Sequence, residues 1–172
     1  AEALRVLEEN CRERSVQNLE IFQGDVFRLE PEWQFDCMAF CFFGNIEEIL
    51  TIARRHCCGK AFLFQRNYRL HRFSTDSCGR ERGGYPDSCR RLGELGIPYE
   101  RQELSLEFGQ PFADFGDAKL FFETYNRGDR PVSDRFVRER IVKTGREDFP
   151  FYLPCKREIG FLTLNAEDIP KS

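Results

Sequence analysis

The stretch Phe35-Asp-Cys-Met-Ala-Phe-Cys-Phe-Phe-Gly-Asn45 is an apolar run that ends on a glycine and an asparagine. Residues 35–43 have the length of a strand, and a continuous apolar run is typical of a strand covered on both faces. Asn45 favours the start of a helix, because Asn is a preferred N-cap residue. The next residues are apolar at helical spacing from Ile46 to His56, with Gly59 as the stop signal. Ala61–Gln65 then predicts a second buried strand.

The flanking segments extend this strand–helix–strand unit into an α/β pattern. Residues 2–14 have helical spacing, and Val16–Phe22 predicts a strand that ends at Gly24 and Asp25. Segments further along the chain are predicted as follows: a loop at 68–85, a helix from Pro86 to Leu95 ending at Gly96, a strand from Tyr99 to Phe108, helices near 115–126 and 133–144, and strands at Phe149–Leu153 and Glu158–Leu164. This order favours a largely parallel sheet flanked by helices, with the last two strands as an antiparallel edge.

Composition narrows the classes of function. The chain has 172 residues, a net charge of −3 and scattered positive residues, which argues against a nucleic-acid surface. No apolar segment reaches the length of a membrane span. The eight cysteines include no CxxC pair, and neither histidine has ligand spacing to a cysteine pair, so the pattern predicts no metal site. We expect reduced thiols in a cytoplasmic protein rather than a disulfide framework.

Four short motifs in order give the chain a family resemblance. They are Gly24-Asp25-Val26, the opening pair Phe35-Asp36, the turn Cys57-Cys58-Gly59-Lys60 and the strand Ala61–Phe64. In this order they resemble the class I S-adenosylmethionine-dependent methyltransferases. In that family the third of these motifs, the turn after the helix, commonly reads Pro-Gly-Gly. The motifs cover residues 2–66, and the rest matches by element order. The resemblance implies a Rossmann-like fold, S-adenosylmethionine as cofactor and methyl transfer to a small molecule.

The most specific motif of that family is missing. Its glycine-rich loop follows the first strand, and an acid after the second strand binds the ribose; neither can be placed on this sequence. We therefore expect residues 1–172 to be the C-terminal part of a single methyltransferase domain that lacks the N-terminal strands. A helical insertion is expected at about 110–145, where substrate selectivity would reside together with the 68–85 loop. The chain alone is expected to bind the cofactor poorly and to be inactive.

The resemblance implies a set of cofactor-binding residues. The carboxylate of Asp25 would accept a hydrogen bond from the adenine amine, Val26 would offer its backbone amide, and Phe27 would form an apolar wall. Phe42 and Phe43, at the end of the apolar run, would form the floor of the cofactor cleft. Local sequence alone favours Asp25 as a cap of the following turn, which is a common role for Asp, whereas its position among three strand ends favours the ligand role.

Candidate substrate-binding residues follow the strands. In the family the corner at Asn45 lies beside the transferred methyl group, although Asn45 also suits a helix cap. Asn67 and Tyr68 follow the second buried strand, and His71 is the candidate general base, because His titrates near neutral pH. Tyr125 lies on a late helix, where aromatic residues at helical spacing are also typical of a core.

Two other classes of function stay open at this stage. One is a different nucleotide-binding α/β enzyme, such as an oxidoreductase. The other is a non-catalytic interaction module that keeps the fold without the cofactor. In the family's sheet the first strand lies in the centre, beside the strand that corresponds to 35–43, so without it this strand would have an open apolar edge. An open apolar edge pairs readily with other chains, so we expect self-association or a companion chain that supplies the missing strands.

Overall fold

A computed structural model describes residues 2–30, 32–67, 73–75 and 84–170. The helices are α1 Glu2–Glu13, α2 Ile46–His56, α3 Tyr85–Leu95, α4 Phe115–Tyr125 and α5 Asp134–Arg138. The strands are β1 Phe35–Cys41, β2 Cys57–Arg66, β3 Glu100–Glu107, β4 Gln110–Phe112, β5 Val142–Lys143, β6 Phe151–Leu153 and β7 Lys156–Asn165. Short 3-10 turns span Val26–Arg28 and Ala166–Asp168.

The predicted strand–helix–strand unit is confirmed in β1, α2 and β2. Asn45 caps α2 through a reciprocal pair of hydrogen bonds: its Oδ1 accepts from Glu48 N at 3.1 Å, and its own N–H donates to Glu48 Oε2 at 2.8 Å. The helix has the predicted bounds. β1 and β2 pair in parallel, so their carboxyl ends point to the same edge of the sheet.

Gly59 has a different role from the predicted helix stop. β2 begins directly after α2, and Gly59 lies inside that strand. A Cβ atom there would lie 2.4 Å from the backbone oxygen of Asp36 on β1. The glycine is therefore required by the close approach of two strands. Gly96, in contrast, ends α3 in the left-handed conformation, with φ of 67°, as predicted.

The main sheet has the order β1-β2-β7-β3. β7 runs antiparallel to both of its neighbours, so β1, β2 and β3 share one direction. The predicted antiparallel C-terminal edge is thus wrong in its placement. β7 lies inside the sheet because its apolar residues pair with both β2 and β3, while β6 belongs to another sheet.

One face of the main sheet carries the principal core. Helices α2 and α3 pack there, and Ile49, Leu63, Leu92 and Leu162 are fully buried between the helices and the strands. Gly160 on β7 makes room for the ring of Tyr85, since a Cβ atom at Gly160 would lie 1.9 Å from that ring. The core therefore fixes α3 beside the central strands.

Residues 110–153 form a second, smaller layer around aromatic side chains. β4, β6 and β5 make a three-stranded antiparallel sheet. Helices α4 and α5 bury Phe112, Phe122, Val137 and Leu153 against it. The predicted helix at 115–126 is confirmed, but the helix predicted at 133–144 ends at Arg138, because residues 142–143 pair with β6 instead.

The N-terminal region differs most from the predictions. Val16–Phe22 forms no strand, and it has no strand beside it in the described part of the chain; Phe22 is 57% exposed. β1 ends at Cys41, and Phe42 takes a left-handed φ of 50°. Only Phe40 of β1 is buried, because β1 is the outer strand and is not covered on both faces. Helix α1 forms as predicted but buries none of its residues.

No helix within the described ranges is long and apolar enough to cross a membrane. Seven cysteines fall in these ranges, and all of them are free thiols. Cys57 and Cys155 are buried, as expected for cysteine used as a small apolar residue.

Candidate functional site

The carboxyl ends of the three codirectional strands meet at one edge of the main sheet. β1 ends at Cys41, β2 at Arg66 and β3 at Glu107. The start of β7 lies at the same edge, because Arg66 pairs with Ile159 and Leu106 pairs with Arg157. In open α/β sheets, ligands bind beyond the carboxyl ends of the strands. This edge, called here the carboxyl edge, is therefore the candidate site.

A cavity of about 480 Å³ opens at the carboxyl edge, between the main sheet and the aromatic layer. Its described lining consists of Phe42, Arg66, Phe73, Phe108, Gln110, Phe121, Arg157 and Ile159. The volume falls in the range of small-molecule sites, and apolar walls with a few convergent polar groups are typical of such sites. We call this space the aromatic cavity.

A smaller cavity of about 220 Å³ adjoins it. The described residues around it are Phe42, Phe43, Gly44, Asn45, Gln65, Arg66 and Gly84. Phe42 and Arg66 line both spaces, so the two cavities share one wall. The left-handed φ angles of Phe42 and Gly44 turn the chain sharply between β1 and α2. This turn places the Phe42 ring, which is half exposed, at the mouth of the site.

Gln65 is the polar residue of the smaller cavity that sequence reasoning missed. Its side chain is 4% exposed, and its Oε1 atom has no hydrogen-bond donor among the described residues. Burying a polar atom without a partner costs about 1–3 kcal/mol, so such atoms are rare in native proteins. In the sequence, Gln65 could be recognised only as the last polar residue of a buried strand.

Asp25 adopts the capping role. Its Oδ1 atom accepts a hydrogen bond from Phe27 N at 3.0 Å and caps the turn at Val26–Arg28. Its Oδ2 atom lies 3.5 Å from Arg28 Nε in an exposed ion pair. Because a carboxylate has two oxygens with several lone pairs, capping leaves room for one more donor. Neither cavity's described lining includes Asp25, Val26 or Phe27.

The structure brings together only some of the other predicted site residues. Phe42, Phe43 and Asn45 come together around the smaller cavity. Asn67 lies just beyond β2, where its N–H donates to the Glu158 carbonyl at 3.0 Å. Tyr125 is exposed, and its ring lies 4.8 Å from the ring of Phe121 in a tilted arrangement; Phe121 lines the aromatic cavity. Tyr68 and His71 lie outside the described residues.

Two arginines at this edge were not among the predicted site residues. Arg66 stands at the end of β2, one residue before the predicted Asn67, and Arg157 stands near the start of β7. Arg66 was recognisable as a strand-end residue within a basic stretch. Arg157 was not, because only the pairing of β7 with β3 brings the start of an antiparallel strand to the carboxyl edge.

Tyr85 follows Gly84 at the smaller cavity but has the wrong protonation state for a base. Burial, with a smaller contribution from Cys89, raises the pKa of Tyr85 to about 12. The phenol therefore stays protonated near neutral pH, and it serves the core rather than proton transfer.

Comparison with known proteins gives a likeness of fold. No protein family and no curated protein matches the chain. Among solved structures, the chain is similar to the YcgJ protein from Bacillus subtilis, with 16% sequence identity and a TM-score of 0.50. The alignment covers 95% of this chain and 78% of that chain. At this identity the likeness supports a shared α/β fold, in which helices flank a sheet of parallel and antiparallel strands.

Proposed function

We propose that this protein has a Rossmann-like fold and transfers a methyl group from S-adenosylmethionine to a small molecule in the cytoplasm. The observation that carries the proposal is the pair of adjoining cavities at the carboxyl edge, with Phe42 and Arg66 as their common wall. A methyltransferase needs two neighbouring sites, one for the cofactor and one for the acceptor. The strand–helix–strand unit that builds this edge also carries three of the four motifs of the family resemblance.

The residues around the smaller cavity fit the methyl-bearing end of the cofactor. Phe42 and Phe43 would provide an apolar floor, and Asn45, which lines the same cavity, would lie beside the transferred methyl group as the resemblance implies. Asp25, whose second oxygen keeps free lone pairs, would accept from the adenine amine. S-adenosylmethionine supplies a methyl group on a positively charged sulfur, so the protein's task is to align an acceptor and exclude water.

Cofactor titration tests the proposal. The protein expressed from its native gene should bind S-adenosylmethionine at a single site in a calorimetric titration. Phe43→Ala should weaken binding about tenfold, because burying a Phe side chain is worth about 1.5–3 kcal/mol. Phe149→Ala is the matched control, since Phe149 is similarly exposed but lies outside both described linings. Absence of binding would contradict the proposal and favour the non-catalytic module.

A further inference from the structure

The smaller cavity contains an unsatisfied hydrogen-bond acceptor. Gln65 lines this cavity, and its Oε1 atom is buried and has no donor among the described residues. A buried acceptor is normally satisfied by the protein, by water or by a ligand. Since Gln65 lines the smaller cavity and directly precedes Arg66, which lines both cavities, a ligand group with an N–H or O–H bond that enters the smaller cavity would satisfy it.

The described lining of the aromatic cavity carries two positive charges. Arg66 and Arg157 line it, both half-buried, and no carboxylate belongs to its described lining. Both arginines make further interactions in the protein. A guanidinium group carries five N–H donors, so it can hold a neighbouring residue and a ligand anion together. Glu107 on β3 faces elsewhere, because its carboxylate binds Cys155 N at 2.6 Å and the Tyr152 hydroxyl at 3.0 Å.

The walls of the aromatic cavity favour a flat ligand. Its described lining includes four phenylalanines, namely Phe42, Phe73, Phe108 and Phe121. Phe73 and Phe121 meet edge to face at 5.1 Å, and the Arg157 guanidinium lies 5.4 Å from the Phe73 ring. Aromatic rings accept a planar partner by stacking or edge contact, and arginine stacks on such faces as well.

We propose that the methyl acceptor is a planar molecule with one anionic group, and that it presents an N–H or O–H group to Gln65. That this molecule accepts the methyl group rests on the proposed function. The chemistry by which it binds does not depend on the cofactor. Arg66 and Arg157 hold the anion in the aromatic cavity, and Gln65 orients the donor group toward the smaller cavity.

Three related probes test the ligand class in the absence of cofactor. They are 6-hydroxy-2-naphthoate, 2-naphthoate, which lacks the hydroxyl, and 6-hydroxy-2-naphthamide, which lacks the charge. Fluorescence titration should show that 6-hydroxy-2-naphthoate binds about tenfold more tightly than either of the others, because each lacks one recognised group. Equal affinity for the three probes, or no binding of any, would overturn the proposal.

Variants assign each recognised group to its residue. Arg157→Gln should weaken binding of 6-hydroxy-2-naphthoate about tenfold and leave the naphthamide unchanged. Arg90→Gln is the matched control, because Arg90 forms exposed ion pairs with Asp87 and Glu94 on α3. An Arg157→Gln effect that is equal for the charged and the neutral probe would overturn the role of charge.

Gln65→Leu gives a signature that a structural glutamine would not give. Removing an unpartnered buried polar atom should keep or raise the melting temperature. The same change should abolish the preference for 6-hydroxy-2-naphthoate over 2-naphthoate. A lower melting temperature with the preference intact would show that Gln65 serves the fold, and would overturn its assigned role.

The two proposals fail separately. Binding of the naphthoate without any binding of S-adenosylmethionine would contradict the proposed methyl transfer and support the proposed anion site. Binding of S-adenosylmethionine without a preference for the charged probe would keep the proposed function and reject this acceptor class.

Discussion

Asp25 is the residue whose two possible roles turn out to be compatible. One carboxylate oxygen caps the turn at Val26–Arg28, while the other lies only in an exposed ion pair. An exposed ion pair of this kind contributes little to stability, about 0–1 kcal/mol. The proposed hydrogen bond to the adenine amine therefore requires no rearrangement of the cap.

We predict that Asp25→Ala weakens S-adenosylmethionine binding several-fold in the protein expressed from its native gene. The lost hydrogen bond to a neutral group is worth about 0.5–1.5 kcal/mol, and the lost cap lowers stability as well. Asp25→Asn is the control, since Asn caps as well as Asp and its amide oxygen still accepts. Calorimetric titration and thermal melting of both variants separate the roles. Reduced stability with unchanged affinity in Asp25→Ala would leave Asp25 as a cap alone.

Among the elements, the pairing of β1 with β2 depends on a single glycine. The backbone of Asp36 approaches Gly59 so closely that no side chain fits between the strands. Gly93, in α3, has no atom within 4 Å of the position of its missing Cβ. These two glycines form a natural pair for comparison, one required by packing and one replaceable.

We predict opposite effects of alanine at these two positions. Gly59→Ala should lower the free energy of unfolding by about 1–3 kcal/mol, because the strands must separate to admit the methyl group. Gly93→Ala should raise it by about 0.5–1 kcal/mol, since alanine is the better helix former. Urea denaturation measures both. A neutral Gly59→Ala variant would show that β1 moves away from β2 without cost.

Glu107 on β3 forms hydrogen bonds to Tyr152 of β6 and to Cys155, between β6 and β7. The Cys155 N–H, and secondly the Tyr152 hydroxyl, hold the pKa of Glu107 below its usual value of 4.5. A carboxyl group with a lowered pKa in the folded state stabilises the fold above its unfolded pKa. That contribution is lost as the pH falls below about 4.5 through the lower, folded value.

We therefore predict that Glu107→Gln flattens the acid limb of the stability profile. The wild-type free energy of unfolding should fall more steeply below pH 4.5 than that of the variant. Tyr152→Phe removes the weaker of the two bonds and should give an intermediate slope. Chemical denaturation at a series of pH values provides the measurement. Parallel profiles for wild type and Glu107→Gln would contradict the role of these hydrogen bonds.

At the scale of the whole molecule, the two outer strands of the main sheet differ in character. β3 carries Glu100, Arg101, Glu103 and Glu107, and charged residues on an outer strand discourage pairing with other chains. β1 has Asp36 as its only charged residue, and its outer side pairs with no strand in the described ranges. Apolar residues of the N-terminal region, such as Leu19 and Phe22, are exposed as well.

We predict that the 172-residue chain associates through β1, with itself or with a companion chain that supplies a strand. Light scattering under reducing conditions should show a mass that rises with concentration. Cys37→Lys, on β1, should reduce this association, because a charge on the outer strand opposes pairing. Ser105→Lys, on β3, is the matched control and should leave it unchanged. A monomer at all concentrations whose structure shows the outer side of β1 covered would contradict the prediction.

Local signals in the sequence were enough to predict several elements. The bounds of α2 follow from the Asn45 cap and the apolar spacing, and the end of α3 follows from Gly96, since caps and helical periodicity act over a few residues. The Asp25 cap is a signal of the same kind. Strand–helix–strand order likewise predicted the parallel pairing of β1 with β2, because a short connection with a helix favours it.

Long-range pairing accounts for what local signals could not predict. The position of β7 between β2 and β3 depends on contacts between residues far apart in the chain, and these leave no local pattern. That pairing brings Arg157 to Arg66, and it places the aromatic layer over the carboxyl edge. The predictions for Gly59 and for Val16–Phe22 were wrong for the same reason. Gly59 is required by the close approach of a neighbouring strand, and Val16–Phe22 forms no strand because no strand lies beside it in the described part of the chain. The candidate site is therefore a property of the assembled sheet, whereas its helices and turns are properties of the sequence.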